Sequence, residues 1–474
     1  VRRTKIVCTL GPATDREGVL ASLVRAGMNV ARLNFSHGTP QEHLRRLQAV
    51  RALAERGGTP LAILQDLCGP KLRLGEVPGG PVHLARGRSL TLTTRPAPGP
   101  EAVQINYPPL LGFLRPGERI LLGDGLPQLR VERVEADQAL TTVVAAGTVS
   151  SHQGLSVPDT ELPIAAVTEK DLADLRWGIE QGVDWVAASF VRNAEDLAPL
   201  RGQMEAAGVQ IPVIAKIERR EAIRNLDAII AAADGIMVAR GDLGVDMPLD
   251  QVPVLQKQII RKCNLAGKPV ITATQMLESM ITRPRPTRAE VTDIANAIVD
   301  GTDALMLSGE TAIGAYPRAA AAMMARVAAR AEPLIDYAQV RARLAAMRLV
   351  SVTDAISASC TAIADDLGAR AIITSTSSGY TARSVSKYRP RTPIVAVTPR
   401  PQTYRQLALV WGVTPLLVAP FATTDEMLHE ATEGAKRGGW VREGDMVVVT
   451  AGLPVGMPGR TNFIRVGVVG DTIA

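Results

Sequence analysis

Short apolar runs alternate with helical patterns along the first part of the chain. Residues 4–10 (TKIVCTL) run into Gly11-Pro12, and a helical pattern follows to about Ala26. Residues 28–36 (MNVARLNFS) end at His37-Gly38. Thr39, Pro40 and Glu42 then read as N-cap, first-turn proline and capping-box partner of a helix lasting to about Arg56. A third strand is predicted at 61–67 (LAILQDL). From about Lys71 to Val157 the rhythm breaks. Apolar and polar residues alternate there, with frequent Gly and Pro, which predicts a small all-β insertion.

Strand–helix alternation resumes at about Pro163, where Thr168 and Asp171 cap a helix. Further strands are predicted at 184–190, 211–217, 234–240, 268–274 and 303–308. Three strands before the insertion and five after it make eight βα units, the count of a closed (β/α)8 barrel, although pattern alone also allows an open sheet. After a helical stretch near 318–348, strands at 371–374, 393–397, 414–418 and 446–450 alternate with helices. The expected organisation is a barrel in two parts (1–70 and 158–340), an insertion at 71–157 and a C-terminal α/β domain at 341–474.

Composition narrows the class. At 474 residues the chain is long enough for several domains, and 46% hydrophobic with 21% charged is an ordinary globular balance. Aromatics are only 3%, so the core must come from Val, Ile, Leu, Met and Ala, which suits parallel strands buried on both faces. The formal charge of +6 either attracts an anionic ligand or is a bias spread over the surface. No basic run carries interleaved aromatics, which argues against nucleic acid as a partner. Cys8, Cys68, Cys263 and Cys360 lie far apart with no CxxC pair, so neither a disulfide framework nor a zinc site is expected, and a reducing cytoplasm is. No apolar run reaches the roughly 18 residues of a membrane span, and the stretch after Arg2, Arg3 and Lys5 is too short for a signal peptide.

In such a barrel the chemistry collects at the C-terminal ends of the strands. Strand two delivers Arg32, Asn34, Ser36 and His37; strand three delivers Asp66, then Lys71 and Arg73 where the insertion begins. Strand five delivers Lys216 and Glu218, and strand six delivers Arg240, Gly241 and Asp242. Strand seven delivers Thr272, Thr274 and Gln275, and strand eight delivers Ser308 and Glu310. Taken singly, each is a polar strand cap or half of a salt bridge, and His37 reads as a strand-end residue that orients its neighbours. Together they say more. Glu218 and Asp242, on adjacent strands, are placed to share one divalent cation. Arg32, Arg73 and Lys216 converge on the same mouth. A metal with converging cations is what phosphoryl transfer needs, because the protein's part is mainly positioning and charge neutralisation. There is no P-loop and no HRD motif, so the barrel mouth must hold donor and acceptor. In the C-terminal domain, 375–381 (STSSGYT) is a hydroxyl- and glycine-rich turn before a helix, a ready anion site. These residues reach a metal-assisted barrel enzyme acting on a phosphorylated anion; they do not name the reaction.

Segments 28–38 (MNVARLNFSHG), 214–218 (IAKIE), 234–245 (DGIMVARGDLGV), 270–290 (VITATQMLESMITRPRPTRAE) and 305–314 (LMLSGETAIG) closely resemble pyruvate kinases, and the resemblance runs essentially end to end. It implies transfer of a phosphoryl group from phosphoenolpyruvate to ADP, with Glu218 and Asp242 holding Mg²⁺ or Mn²⁺. It implies that Lys216 stabilises the group in flight, and that Arg32 contacts phosphate beside nucleotide contacts from Asn34 and His37. Gly241, Asp242 and Thr274 would hold the substrate carboxylate, and Ser308 and Glu310 would stand near a water that protonates the enolate. Arg73 counts with the catalytic groups. The insertion would be a small β-barrel lid that excludes water, and the assembly a cytoplasmic homotetramer.

Two details refine what the resemblance implies. Many family members carry Asp-Thr-Lys-Gly-Pro-Glu after strand three and need K⁺; here the run is Asp66-Leu67-Cys68-Gly69-Pro70-Lys71. An ammonium at Lys71 substitutes for the ion's charge, so K⁺ independence is expected, although Asn34, Ser36, Asp66 and Leu67 of that region remain. The loop Thr376, Ser377, Ser378, Gly379 and Thr381 matches the family's effector-phosphate loop. Residues 452–460 (GLPVGMPGR) lack the tryptophan of bisphosphate-responsive members, so AMP or a sugar monophosphate is the expected effector. The competing readings are a metal-dependent lyase on the same barrel and a catalytically inactive binding protein.

Overall fold

Eight apolar runs of four or five residues, almost all fully buried, pair in parallel around a closed barrel in the computed structural model. They are β1 (Lys5–Thr9), β2 (Val30–Asn34), β3 (Ala62–Asp66), β4 (Trp185–Ala188), β5 (Val213–Ile217), β6 (Gly235–Ala239), β7 (Val270–Ala273) and β8 (Ala304–Leu307). Neighbours in sequence are neighbours in space, and β1 pairs with β8 (Lys5 opposite Ala304) to close the ring. The description covers residues 2–471 apart from 78, 97–98, 100, 161, 346–350 and 456–458. The end of the helical stretch expected near 318–348, and part of the 452–460 stretch, lie outside it.

Local chemistry starts the helices where the sequence predicts. Thr39 and Glu42 form a reciprocal capping box, with Pro40 opening helix Pro40–Gly57, and Thr168 and Asp171 do the same for Glu169–Glu180.

A device at the barrel's N-terminal rim is not visible as a motif. Asn29, Asp184, Asp234 and Asp303 stand immediately before β2, β4, β6 and β8. Each accepts a backbone N–H from the preceding strand: Ile6, Ile63, Val213 and Val270, at 3.0, 2.8, 2.9 and 2.9 Å. Arginines then complete them: Arg2 on Asn29, Arg51 and Arg405 on Asp184, Arg201 on Asp234 and Arg389 on Asp303. Arg389 and Arg405 come from the C-terminal domain. This rim therefore pins strand register and anchors the second domain with the same side chains.

The insertion is laid out as a six-stranded, mainly antiparallel sheet with a separate two-stranded ribbon, around its own core of Leu72, Leu90, Leu92, Ile120, Leu122 and Leu129 among others. The C-terminal domain is a five-stranded sheet in the order Val413–Leu417, Ile394–Thr398, Ala371–Ser375, Met446–Ala451, Phe463–Val468. Its last strand, antiparallel and only partly buried, has no continuous apolar run and is absent from the sequence reading. Ala408 and Leu409 of this domain pack into the barrel's interior cluster with Trp185, Ile214 and Met306, so the domain plugs the barrel from below.

Candidate active site

At the opposite end, the strands' C-terminal residues build a buried chain of alternating charge. Asp66, at the end of β3, accepts from Arg32 Nε through Oδ2 at 2.7 Å and lies 3.3 Å from Lys216 Nζ through Oδ1. Lys216 in turn is 2.9 Å from Glu218 Oε1. Asp66 and Glu218 are each 1% exposed. Thr9 accepts from Arg32 Nη1 at 2.9 Å, which fixes the guanidinium from a second side.

The electrostatics follow from this order. Burial alone pushes the Asp66 carboxyl up, but Lys216 and Arg32 outweigh it and hold it below the usual range. Burial likewise opposes the Lys216 charge, and Asp66 and Glu218 more than restore it, so the ammonium stays protonated. Glu218 goes the other way: burial first, then the neighbouring Asp242, raise it despite Lys216. Two adjacent carboxylates, one buried and with no aligned hydrogen bond on Oε1, suit a divalent cation, whose charge relieves both terms. Glu218 Oε2 is held by the backbone N–H of Phe190 at 2.6 Å. Phe190 adopts a left-handed backbone (φ 56°), an uncommon state for a bulky side chain, and Arg219 stacks on its ring at 5.2 Å.

Thr274 and Gln275, just past β7, are also left-handed at φ 74° and 57°. For a β-branched residue this is strained backbone, and it sits beside Gly241, where a Cβ would come within 2.8 Å of the Thr274 methyl. Gly241 and half-buried Asp242 open the short helix Arg240–Asp246. Arg240 itself turns away, to Asp293 at 2.6 Å and the Thr274 carbonyl at 2.7 Å. Glu310 is fully buried and both its oxygens take backbone N–H groups, from Leu277 at 3.0 Å and Ser308 at 2.7 Å. It clamps two loops, while Ser308 stands half-buried beside it.

Other predicted residues lie further out. Arg73 reaches into the insertion, donating to the His152 carbonyl at 2.9 Å. Lys71 is half-buried, and its ammonium forms no ion pair among the described residues. Burial, then Arg73, Lys71 and Arg32, lower the His37 imidazole, which puts these three cations around His37 and leaves it neutral at neutral pH. Asn34 Oδ1 accepts the Ser36 N–H at 3.2 Å, and the Leu67 carbonyl accepts from Ser189 Oγ at 2.7 Å.

Ser189 is the residue the sequence reading missed. It accepts from Lys216 Nζ at 2.7 Å and so fixes the ammonium's third direction. It follows β4, where the strand-end rule points, but a lone serine there carries no signal of charge. Thr9, at the end of β1, is equally plain in the sequence.

In the C-terminal domain, Thr376, Ser377 and Ser378 link Ala371–Ser375 to helix Tyr380–Lys387, with Gly379 left-handed (φ 78°) between them. The Thr381 hydroxyl pairs with Thr461 at 3.0 Å. The loop borders a cavity of about 210 Å³ that Arg400 and Arg460 also line, two cations the sequence reading did not assign.

A closed parallel barrel with a buried, charged mouth, an inserted β domain and an α/β domain under its base is the architecture of a three-domain barrel phosphotransferase. The family model described as pyruvate kinase, barrel domain, matches residues 1–321, and the pyruvate kinase alpha/beta domain matches 354–467. The chain is similar to a pyruvate kinase of Geobacillus stearothermophilus, 48% identical over all of this chain and 81% of that one. It is 48% identical to pyruvate kinase 2 of Synechocystis over 99% of this chain and 79% of that one. It is 45% identical to a pyruvate kinase of Clostridium acetobutylicum over 99% of this chain and 100% of that one. The chain belongs to the pyruvate kinase family.

Proposed function

We propose that the protein transfers the phosphoryl group of phosphoenolpyruvate to ADP, giving pyruvate and ATP as the last step of glycolysis. The observation that carries this reading is the buried Arg32–Asp66–Lys216–Glu218 chain with Asp242 beside it. Glu218 and Asp242 would hold Mg²⁺ or Mn²⁺, which supplies charge neutralisation to phosphoryl oxygens. Lys216, kept protonated by two buried carboxylates and aimed by Ser189, meets the group in transfer. Arg32, locked by Asp66 and Thr9, offers its remaining N–H groups to phosphate. Gly241, packed against the Thr274 methyl, would hold the substrate carboxylate together with Asp242 and Thr274. Ser308 stands near the water that protonates the enolate, and Glu310 holds the Ser308 backbone. Asn34 and His37 face the nucleotide, Arg73 is held within the lid by the His152 carbonyl, and lid closure excludes water.

The division into 1–70 and 158–340 (barrel), 71–157 (lid) and 341–474 (regulatory domain) belongs to the same reading. So do a cytoplasmic homotetramer and a monophosphate effector, AMP or a sugar monophosphate, on Thr376, Ser377, Ser378, Gly379 and Thr381. Arg400 and Arg460 supply the effector site's counter-charge. Among the described residues no helix is long and apolar enough to cross a membrane. Lys71, with no carboxylate partner among the described residues, stands in for K⁺ beside Asn34, Ser36, Asp66 and Leu67.

The test is pyruvate formation from phosphoenolpyruvate, ADP and Mg²⁺ in K⁺-free buffer, before and after KCl. Full activity without K⁺ is expected, with Lys71→Glu becoming K⁺-dependent. Activity only after KCl would remove the Lys71 assignment and keep the reaction; no activity under either condition, with AMP or a sugar monophosphate present, would remove the reaction.

A further inference from the structure

Beneath the barrel, helix Tyr380–Lys387 lies against the end of helix Val252–Ala266, and with the residues that lead into β7 and β8 it borders a gap of about 10 Å³. A gap of that size holds one water-sized guest. Its walls include Asn264, Lys268, Asp303, Arg383, Lys387 and Arg389. Cations outnumber carboxylates here. Lys387 is paired with Asp354 at 2.8 Å and Arg389 with Asp303 at 3.1 Å. The remaining carboxylate close to the gap, Asp234, already holds Arg201 at 2.5 Å. Lys268 and Arg383 donate only to carbonyl oxygens among the described residues, Ala233 at 2.6 Å and Ser378 at 3.3 Å.

Arg389 is the second, independent sign. It is 5% exposed, yet its Nε and Nη1 are buried with no hydrogen-bond partner. Its backbone is held left-handed at φ 47°, and its guanidinium lies 4.6 Å from the Trp411 ring, so the group is fixed where it stands. Unmet donors on a buried charged group are expensive. A water accepts two hydrogen bonds and must also place two hydrogens, while these walls offer mainly donors. A monatomic anion accepts from all of them and offsets the surplus charge. The narrowness of the gap favours a single-atom guest over a phosphate or a carboxylate.

We propose that this gap binds one small monovalent anion, a halide such as chloride, between Arg389, Arg383 and Lys268. The ion ties the underside of the barrel to the helix that begins at the Thr376–Gly379 loop.

The full chain crystallised from sodium bromide tests this by anomalous scattering at the bromine edge. One peak in the gap, within hydrogen-bond reach of Arg389 Nε, is expected. An ordinary water with no anomalous signal at high bromide would overturn the proposal. In solution, at fixed ionic strength, chloride should raise the unfolding midpoint over gluconate saturably, by about 2–4 °C. Arg383→Gln should lose that increment, with Lys268→Met as the second variant should the first not fold. Equal midpoints in chloride and gluconate for the unmodified chain would also overturn it.

Discussion

Lys5 and Glu218 are buried ionisable groups with opposite solutions. Glu218 gains Lys216 as a partner and lies near Asp242, where the proposed metal would relieve both carboxylates. Removing that function without removing volume isolates it: Glu218→Gln and Asp242→Asn should each lose measurable Mn²⁺ binding by spectroscopic titration. Turnover should fall by about 10²–10³-fold, the scale of losing a positioned charge, while the fold persists. Undiminished Mn²⁺ affinity in both variants would remove them as ligands. The Lys5 ammonium donates to the Val413 carbonyl of the C-terminal domain at 2.6 Å and forms no ion pair among the described residues. Burial, with Arg2 adding to it and Glu332 opposing, lowers its ammonium to about 7. The unfolded chain therefore binds a proton that the folded chain does not between about pH 7 and pH 10.5. Lys5 thus costs stability below pH 7, and that cost fades as pH rises through the window, by about 1.4 kcal/mol per unit at most. Lys5→Met should flatten this rise in urea unfolding at pH 7, 8 and 9; an unchanged slope would show that Lys5 is not its source.

At the scale of elements, the β6 and β7 ends are built as a pair. Gly241 opens the helix after β6, and the left-handed Thr274 beside it presents a methyl where a Cβ would intrude at 2.8 Å. Gly241→Ala should therefore raise KM for phosphoenolpyruvate and lower kcat, since either the helix or Thr274 must shift. Thr274→Ser removes that methyl, so the double variant should recover part of the Gly241→Ala loss in kcat/KM, a non-additivity expected only for groups in contact. Strictly additive losses would show that the two do not meet. Sequence patterns captured the elements themselves well. The capping boxes at Thr39 and Thr168 open helices where predicted, because the signal and the hydrogen bonds lie within one turn. The edge strand Phe463–Val468 escaped because a partly wet strand needs no apolar run.

For the whole molecule, the barrel's underside decides how the C-terminal domain is carried. Asp184 is fully buried, binds the Ile63 N–H, and holds both Arg51 at 2.9 Å and Arg405 at 2.7 Å. Asp184→Ala leaves two arginines and a backbone N–H without their acceptor, so it should destabilise the protein by about 3–5 kcal/mol. Arg405→Ala removes one partner of a shared carboxylate and should cost less while loosening the domain contact. The measure is denaturant unfolding followed separately at Trp185 in the barrel and Trp440 in the C-terminal domain. A single unchanged transition in both variants would show that the ion pairs do not couple the domains.

The chain's own order of residues determined the eight βα units, the polar residue at each strand's end, the β insertion and the hydroxyl loop, because periodicity, caps and turns are local. It also carried enough spelling at 214–218, 234–245 and 270–290 for the family to be recognised. Tertiary structure alone decided that Asp66 bridges Arg32 and Lys216, and that Ser189 and Thr9 complete their shells. It also turned Arg240 toward Asp293 and out of the mouth, and made a regular rim of Asn29, Asp184, Asp234 and Asp303. These partners lie tens to hundreds of residues apart in the chain. Only closure of the ring, which brings every second strand start to the same level and every strand end to one mouth, puts them within hydrogen-bond reach.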